Sequence, residues 1–180
     1  MYGIIIRRFH PGKDRSNMDI IIGNICSLLA MVTDSVSSTR KTAKGVLLVQ
    51  SLSQIIYCAG AVILRGYSAA VQNAVSVGRN LIAIRGETPK WLQWLLVALG
   101  VVLGLWFNNL GFVGLLPVIA NLEYSLAIFR FQDNERALKL AFLISVGLYG
   151  IFNIFILNIV GFLTNSAVVI MTAVYLIRTR

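Results

Sequence analysis

Polar and small side chains share one face of an otherwise apolar stretch, residues 66–85, GYSAAVQNAVSVGRNLIAIR. Roughly 20 helical residues at about 1.5 Å each cross about 30 Å of hydrocarbon, so this stretch is long enough to span a bilayer. At helical spacing the face carries Ala69, Gln72, Asn73, Ser76 and Asn80. Because a lipid-facing helix avoids such residues, we expect this helix inside a bundle, where the face lines a path or pocket.

Three ionisable residues also lie within apolar stretches: Asp34, Arg79 and Glu123. All three belong to predicted helices that run in the same direction, at a shared depth of about 8 to 10 Å from one membrane surface. Since an unpaired charge there costs a few kcal/mol, we expect Arg79 to pair with Glu123 or Asp34. The pair is either a gate that opens and closes or a static structural contact, and Arg79 could instead extend to the interface.

The composition indicates an integral membrane protein. The chain is 57% apolar and 13% charged, which is too little polar surface for a soluble globular domain. Cys26 and Cys58 lack ligand-like spacing, and the single histidine is His10. We therefore expect no metal, no cofactor and no enzymatic activity. The basic residues behind the net charge of +9 lie at predicted helix ends, which favours membrane orientation over nucleic-acid binding.

Seven apolar stretches predict an all-α membrane protein with seven transmembrane helices, over residues 19–38, 45–64, 66–85, 91–107, 110–129, 137–157 and 158–177. Residues 1–17 form a basic tail, and we leave open whether Met18 is the true start, with this tail outside the native protein. Gly100 and Gly104 have the spacing that permits close helix packing, either within the chain or in a homodimer.

The basic residues also predict the orientation, because seven helices alternate sides. One side collects Arg7, Arg8, Lys13, Arg15 and Arg65. The opposite side collects Arg40, Lys41, Lys44, Arg85, Lys90, Arg130, Arg136, Lys139, Arg178 and Arg180. The positive-inside rule then places the N-terminus outside and the C-terminus in the cytoplasm.

The first three and last three predicted helices align with a shift of 92 residues. Identities fall at Leu48, Ser53, Tyr57, Asn73 and Val77, which meet Leu140, Ser145, Tyr149, Asn165 and Val169. Two three-helix units insert in the same direction only if an odd number of helices joins them, and the fourth helix supplies that number. We therefore predict a 3+1+3 arrangement: repeat 18–85, linker helix 4 in 86–109, and repeat 110–180. Parallel repeats around a central site are a common transporter plan.

The runs VQNAVSVGRNLIAIR (71–85) and LLPVIANLEYSLAIFR (115–130) resemble the YgjV-type family of bacterial inner-membrane proteins, over nearly the whole chain from Met18. More distantly, the layout is similar to SWEET and PQ-loop transporters. In SWEET-like proteins an asparagine in the third helix of each triplet and an aromatic residue in the second face the substrate. By position, the resemblance implies substrate-binding roles for Asn73 and Asn165 with Tyr57 and Tyr149. Sugar carriers usually have tryptophan where this chain has the two tyrosines.

Together these features predict a carrier or facilitator in the bacterial inner membrane that moves a small polar metabolite through a central pocket, with lipid and solute as its partners. The alternative is a membrane scaffold or subunit-binding protein, in which the asparagines join helices and Gly100 with Gly104 forms a dimer face. An intramembrane enzyme is the weakest of the three hypotheses. From the sequence alone, Asn73 fits a pocket or a helix contact equally well, Asn165 fits a helix contact slightly better, and the tyrosines also fit simple packing.

Overall fold

The computed structural model describes residues 16–37, 42–85, 89–131 and 134–178. These residues form seven helices and no strand: α1 (Asn17–Ser37), α2 (Ala43–Ile63), α3 (Tyr67–Ile84), α4 (Lys90–Trp106), α5 (Phe112–Phe131), α6 (Glu135–Phe155) and α7 (Ile159–Arg178). The prediction of seven helices is confirmed, and every end lies within about two residues of its predicted position. Several residues used above lie outside the described part of the chain: Arg7, Arg8, His10, Lys13, Arg15, Arg40, Lys41 and Arg180.

Local sequence explains where the helices begin. Ser16 and Asp19 form a reciprocal cap at α1, in which the Asp19 amide donates to Ser16 Oγ at 3.1 Å and the Ser16 amide donates to Asp19 Oδ2 at 3.0 Å. Thr42 Oγ1 accepts from the Gly45 amide at 3.1 Å to cap α2. Asn134 Oδ1 caps α6 in the same way at 3.0 Å. The caps of α2 and α6 stand 92 residues apart.

Helices α2 and α6 also end in the same manner, in turns that contain residues 64–66 and 156–158; we call this end of the molecule the turn end. Arg65 and Leu157, again 92 residues apart, adopt φ values of 54° and 58°. Positive φ is uncommon for residues other than glycine. The next amide donates back across the turn in both cases, Gly66 to Ala61 at 2.7 Å and Asn158 to Asn153 at 2.9 Å.

Two asparagines tie these turns to other parts of the chain. The Nδ2 group of Asn24, in α1, donates to the Leu157 carbonyl at 2.9 Å, and Asn24 Oδ1 accepts from the Val160 amide at 2.9 Å. The Nδ2 group of Asn109, just before α5, donates to the Arg65 carbonyl at 2.8 Å. Each turn is therefore held by an asparagine from a distant segment.

Packing divides the helices into two groups. Helices α1, α2 and α3 pack on one another in sequence, as do α5, α6 and α7, while α4 contacts α3 and α5. The groups meet where α3 contacts α5 and α1 contacts α7. The apolar core, which we call the turn-end cluster, contains Ala61, Leu64, Ala69, Ala70, Leu110, Phe152 and Ile156.

Large apolar side chains are exposed on all seven helices, in contrast with a soluble domain. Phe112 is 90% exposed and Trp106 is 81% exposed. Two of the described helical segments, Asn17–Val36 and Ile159–Arg178, are long and apolar enough to cross a membrane by themselves. Shorter apolar helical segments are Leu47–Ile63, Lys90–Trp106, Phe112–Ala127 and Lys139–Phe155.

Gly100 and Gly104 are buried inside the chain rather than on an outer face. A Cβ atom at Gly104 would lie 2.5 Å from Gln72 Nε2 and 2.7 Å from Val118 Cγ2. Helix α4 therefore approaches α3 and α5 closely because these two positions carry no side chain. The glycine pair is used within the chain, so the idea that it forms a dimer face is wrong.

We expect Gly104→Ala to lower the melting temperature of the detergent-purified protein, since the added methyl group overpacks this junction at a cost of about 1 to 3 kcal/mol. Gly78→Ala is the matched control, because a Cβ atom there meets nothing within 4 Å and alanine favours a helix by about 1 kcal/mol. A thermal-unfolding assay of both variants measures the difference. Equal stability of the two variants would contradict the close packing of α4.

Candidate functional site

A cavity of about 310 Å³ lies among α1, α2, α3, α5, α6 and α7. This volume is at the lower end of the range of about 300 to 1,000 Å³ that small-molecule sites occupy. Its polar and ionisable lining residues are Asp34, Gln54, Tyr57, Asn73, Ser76, Arg79, Asn121, Tyr124, Ser145, Tyr149, Asn153, Asn158, Thr164 and Asn165. The lining comes from both groups of helices.

The two ends of the cavity differ in chemistry. Toward the turn end its walls include Ala61, Ala69, Phe152 and Ile156, which belong to the turn-end cluster. Phe152 and Ile156 are each 1% exposed, so this end is closed by packed side chains. Asp34 lies ten residues beyond Asn24 in α1, about 15 Å further from the turn end. The charged lining residues therefore stand away from the closed end.

The two predicted asparagines both line this cavity. Asn73 and Asn165 are half-buried. Across the described ranges neither side chain forms a hydrogen bond with another helix, in contrast with Gln72, Asn24 and Asn109. Their amide groups are thus directed to a shared space instead of joining two helices.

The predicted tyrosines lie in the same cavity wall. Tyr57 and Tyr149 are half-buried lining residues on α2 and α6. Tyr57 interacts electrostatically with Asp34, and Tyr149 interacts with the guanidinium group of Arg79. Among the described residues no carbonyl accepts a hydrogen bond from either phenol, and the substrate-binding role of the two tyrosines stays a prediction.

Of the three predicted charges, the structure brings two to the cavity. Asp34 and Arg79 line it, while Glu123 lies outside the lining, with its Oε2 atom buried and lacking a hydrogen-bond partner in the described residues. Asp34 Oδ1 accepts from Ser53 Oγ at 3.1 Å. Arg79 interacts with the phenols of Tyr124 and Tyr149, and within the described part of the chain it forms no ion pair with either acid. The gate formed by these charges stays a prediction.

The polar face predicted for α3 is divided by the structure. Ala69, Asn73 and Ser76 line the cavity, but Gln72 and Asn80 do not. Gln72 is 1% exposed; its Nε2 group donates to the Gly100 carbonyl at 2.8 Å, and its Oε1 atom accepts from Asn121 Nδ2. Successive helical residues are rotated by about 100°, so Gln72 faces α4 and α5 while its neighbour faces the cavity.

Sequence reasoning missed several lining residues. Asn153 follows Ser145 and Tyr149 at four-residue spacing on α6, and extending that stripe by one turn would have found it. Asn121 and Tyr124, three residues apart on α5, form a similar stripe. Asn158 could have been found as a helix cap and not as part of a stripe, since its side chain caps α7 by accepting from the Gly161 amide at 2.9 Å.

The described residues contain no group of three histidine, cysteine or acidic side chains that could hold a metal ion. Cys26 and Cys58 are free thiols, and Cys58 Sγ lies 3.3 Å from the Ala70 carbonyl oxygen. The cavity therefore offers amide, hydroxyl and phenol groups with one acid and one base, a set suited to binding a polar solute.

A family model described as Imp-YgjV, bacterial inner membrane protein, matches residues 21–180. The chain belongs to this family. It is therefore a bacterial inner membrane protein in contact with the lipid bilayer, and the resemblance to the YgjV-type family noted from the sequence is confirmed. The more distant similarity to SWEET and PQ-loop transporters stays a prediction. No curated protein and no solved structure gives a significant match.

Gln72 and Asn73 provide a contrast between a helix junction and a cavity wall. Gln72→Ala leaves the Gly100 carbonyl and the Asn121 amide without their partner, so we expect a loss of about 1 to 2 kcal/mol. Asn73→Ala breaks no hydrogen bond among the described residues, and we expect a change within about 0.5 kcal/mol. Thermal unfolding of both variants in the same detergent tests this. A larger loss for Asn73→Ala would show that this side chain joins helices.

Proposed function

We propose that this protein is a carrier or facilitator that moves a small polar solute across the inner membrane through the cavity between α1–α3 and α5–α7. The observation that carries the proposal is the polar lining, whose Asn73, Asn165, Tyr57 and Tyr149 side chains have no hydrogen-bond partner among the described residues. In a bilayer such groups need water or solute. A lining of amides and phenols suits a small, hydrogen-bonding molecule.

We also propose that α1–α3 and α5–α7 are two parallel repeats and that α4 is the linker, in the 18–85, 86–109 and 110–180 division. Support comes from matched local structure at a spacing of 92 residues. Thr42 and Asn134 cap α2 and α6, and Arg65 and Leu157 end them with positive φ. None of these four residues is among the aligned sequence identities, so the matches add to them. Two repeats around one cavity are the layout expected of a carrier.

All seven helices span the membrane in this proposal, with the N-terminus and the turn end outside and the C-terminus in the cytoplasm. Described basic residues at the cytoplasmic side include Lys44, Arg85, Lys90 and Arg136. Arg65 is the basic residue at the turn end. This distribution agrees with the positive-inside rule. The cavity closed at the turn end then corresponds to a carrier closed toward the outside.

The proposed gate lies at the level of Asp34, Arg79 and Glu123. In this conformation Arg79 has no acidic partner among the described residues, which fits the separated state of such a gate. Closure would bring Arg79 to one of the two acids and neutralise its charge. The static-contact alternative has less support, because a structural pair would be formed here.

A scaffold remains the second candidate. The dimer face proposed for the scaffold is not available, since Gly100 and Gly104 pack on Gln72 and Val118 inside the chain. The helix contacts of Gln72 would serve a scaffold and a carrier equally. The cavity asparagines distinguish the two, because a scaffold has no use for unpartnered amides.

Uptake of a mixed metabolite pool into proteoliposomes tests the carrier function. We expect Asn73→Ala and Asn165→Ala to lower the initial rate of the transported solute at least tenfold, because each removes a solute contact, while the amount of folded protein is unchanged. Thr33→Ala is the matched control, since its hydroxyl bonds only the Leu29 carbonyl of its own helix at 2.8 Å. Mass spectrometry of the vesicle contents identifies the solute and gives the rate.

The outcomes of this experiment separate the hypotheses. Solute-specific uptake that both asparagine variants reduce supports the carrier. Uptake no faster than in empty liposomes for every metabolite would contradict it. Normal uptake in both variants would show that the solute crosses by a path that does not use these asparagines.

Single-cysteine labelling tests the orientation. In a background of Cys26→Ala and Cys58→Ala, we expect Phe107→Cys, at the turn end, to react with a membrane-impermeant maleimide in intact spheroplasts. Lys90→Cys should react only after the membrane is permeabilised, because it lies on the cytoplasmic side. Both positions are exposed, so access to each depends on the side of the membrane. The reverse pattern would invert the topology.

A further inference from the structure

The cavity contains one acid and one base that are not paired with each other. Asp34 and Arg79 are the ionisable acid and base among the lining residues, and no ion pair joins them within the described ranges. They come from different helices, α1 and α3. The cavity wall therefore has no net charge but two separate charged sites.

The basic site includes two phenols. The Arg79 guanidinium lies in the cavity wall together with the side chains of Tyr124 and Tyr149 and interacts with both. Among the residues that the structure describes, no carboxylate compensates it. An intramembrane cation without a counter-ion is costly, so this site favours an anionic group. Arginine with two phenolic hydroxyls is a set of donors suited to a carboxylate.

The acidic site is organised in the same way. Asp34 Oδ1 accepts one hydrogen bond, from Ser53 Oγ at 3.1 Å, and Tyr57 is its neighbour across the cavity wall. Ser53 is fully buried and its Oγ also lies 2.9 Å from the Gln50 carbonyl oxygen, so its single proton is shared between this carbonyl and Asp34. No described basic side chain compensates Asp34. This site favours a cationic group such as an ammonium.

We infer that the cavity selects a small zwitterion whose carboxylate lies at Arg79 between Tyr124 and Tyr149 and whose ammonium lies at Asp34. The inference deepens the proposed function and depends on it. A singly charged anion would satisfy Arg79 but leave Asp34 without a counter-ion, and a cation would do the reverse. A neutral sugar would leave both charges uncompensated. A single bound molecule compensates both sites only if it carries both charges.

Binding to the purified protein in detergent tests this class of ligand. The probes are ω-amino acids with two to six methylene groups, each compared with the carboxylate and the amine of equal chain length, by equilibrium dialysis of the labelled compound. We expect the best ω-amino acid to bind at least tenfold more tightly than its two singly charged counterparts. The best chain length then measures the separation of the two sites.

Charge-neutralising variants assign each end of the probe. Arg79→Gln should remove the advantage of the zwitterion over the amine, and Asp34→Asn should remove its advantage over the carboxylate. Lys90→Gln, an exposed cation outside the cavity, is the control and should bind as the unmodified chain does. Retention of the full preference in Arg79→Gln or Asp34→Asn would overturn the inference, as would equal affinity for singly charged probes or no binding of any ω-amino acid.

Comparison with the uptake assay separates this inference from the carrier hypothesis. Charge-selective binding without uptake would leave the ligand class intact and refute transport. Uptake restricted to uncharged solutes would leave transport intact and refute the zwitterion. Both hypotheses would be refuted together only if no ω-amino acid binds and no metabolite is taken up, and these two results come from independent measurements.

Discussion

A bilayer offers no water to a polar group, and this constraint divides the polar side chains of the chain into two populations. The first is bonded within the protein: Gln72 bridges α3 to α4 and α5, and the hydroxyl of Ser27 donates to the Gly23 carbonyl of its own helix at 3.1 Å. The second, which includes Asn73 and Asn165, faces the cavity without a partner among the described residues. Since unsatisfied polar groups cost several kcal/mol in hydrocarbon, the second population fits the wet interior of the proposed carrier.

Helix α3 makes both populations possible at once. Gln72 and Asn73 are neighbours in sequence but point about 100° apart, so one amide fixes the helix against α4 while the next is left for the cavity. Gly100 and Gly104 contribute to the contact between α3 and α4, because their missing side chains let the Gln72 amide reach a backbone carbonyl in α4. The polar residues of this helix thus have two separate roles, contact with α4 and α5 on one side and lining of the cavity on the other.

The sequence predicted the seven helices well because each apolar run is bounded by basic, glycine or asparagine residues. It also predicted the repeated asparagines and tyrosines as cavity residues, since polar groups in apolar helices need a common interior. It predicted Asp34 and Arg79 as members of an ion-pair layer, and it did not predict that both line the cavity. It did not predict that Gln72 and Glu123 lie outside the lining, because helical periodicity gives the angle of a residue but not the neighbour it meets. Asn24 and Asn109 were missed for a related reason. Their partners are backbone carbonyls of distant turns, which no side-chain pattern reveals.

The turn end indicates how a carrier built on this fold could open. Each α2–α3 and α6–α7 turn is closed by backbone bonds within its own pair of helices, such as Gly66 to Ala61 at 2.7 Å, so each pair can move as a unit. Asparagine bonds tie these turns to other segments, Asn24 in α1 to the Leu157 carbonyl and Asn109 before α5 to the Arg65 carbonyl. The two pairs also share the apolar cluster that contains Leu64, Phe152 and Ile156. An interhelical hydrogen bond in a membrane contributes only about 1 kcal/mol, and water at the surface can replace it. Opening would also expose apolar area of these three residues to the water that enters the cavity, since each is at most 1% exposed. The buried Gln72 junction would keep α3, α4 and α5 together throughout.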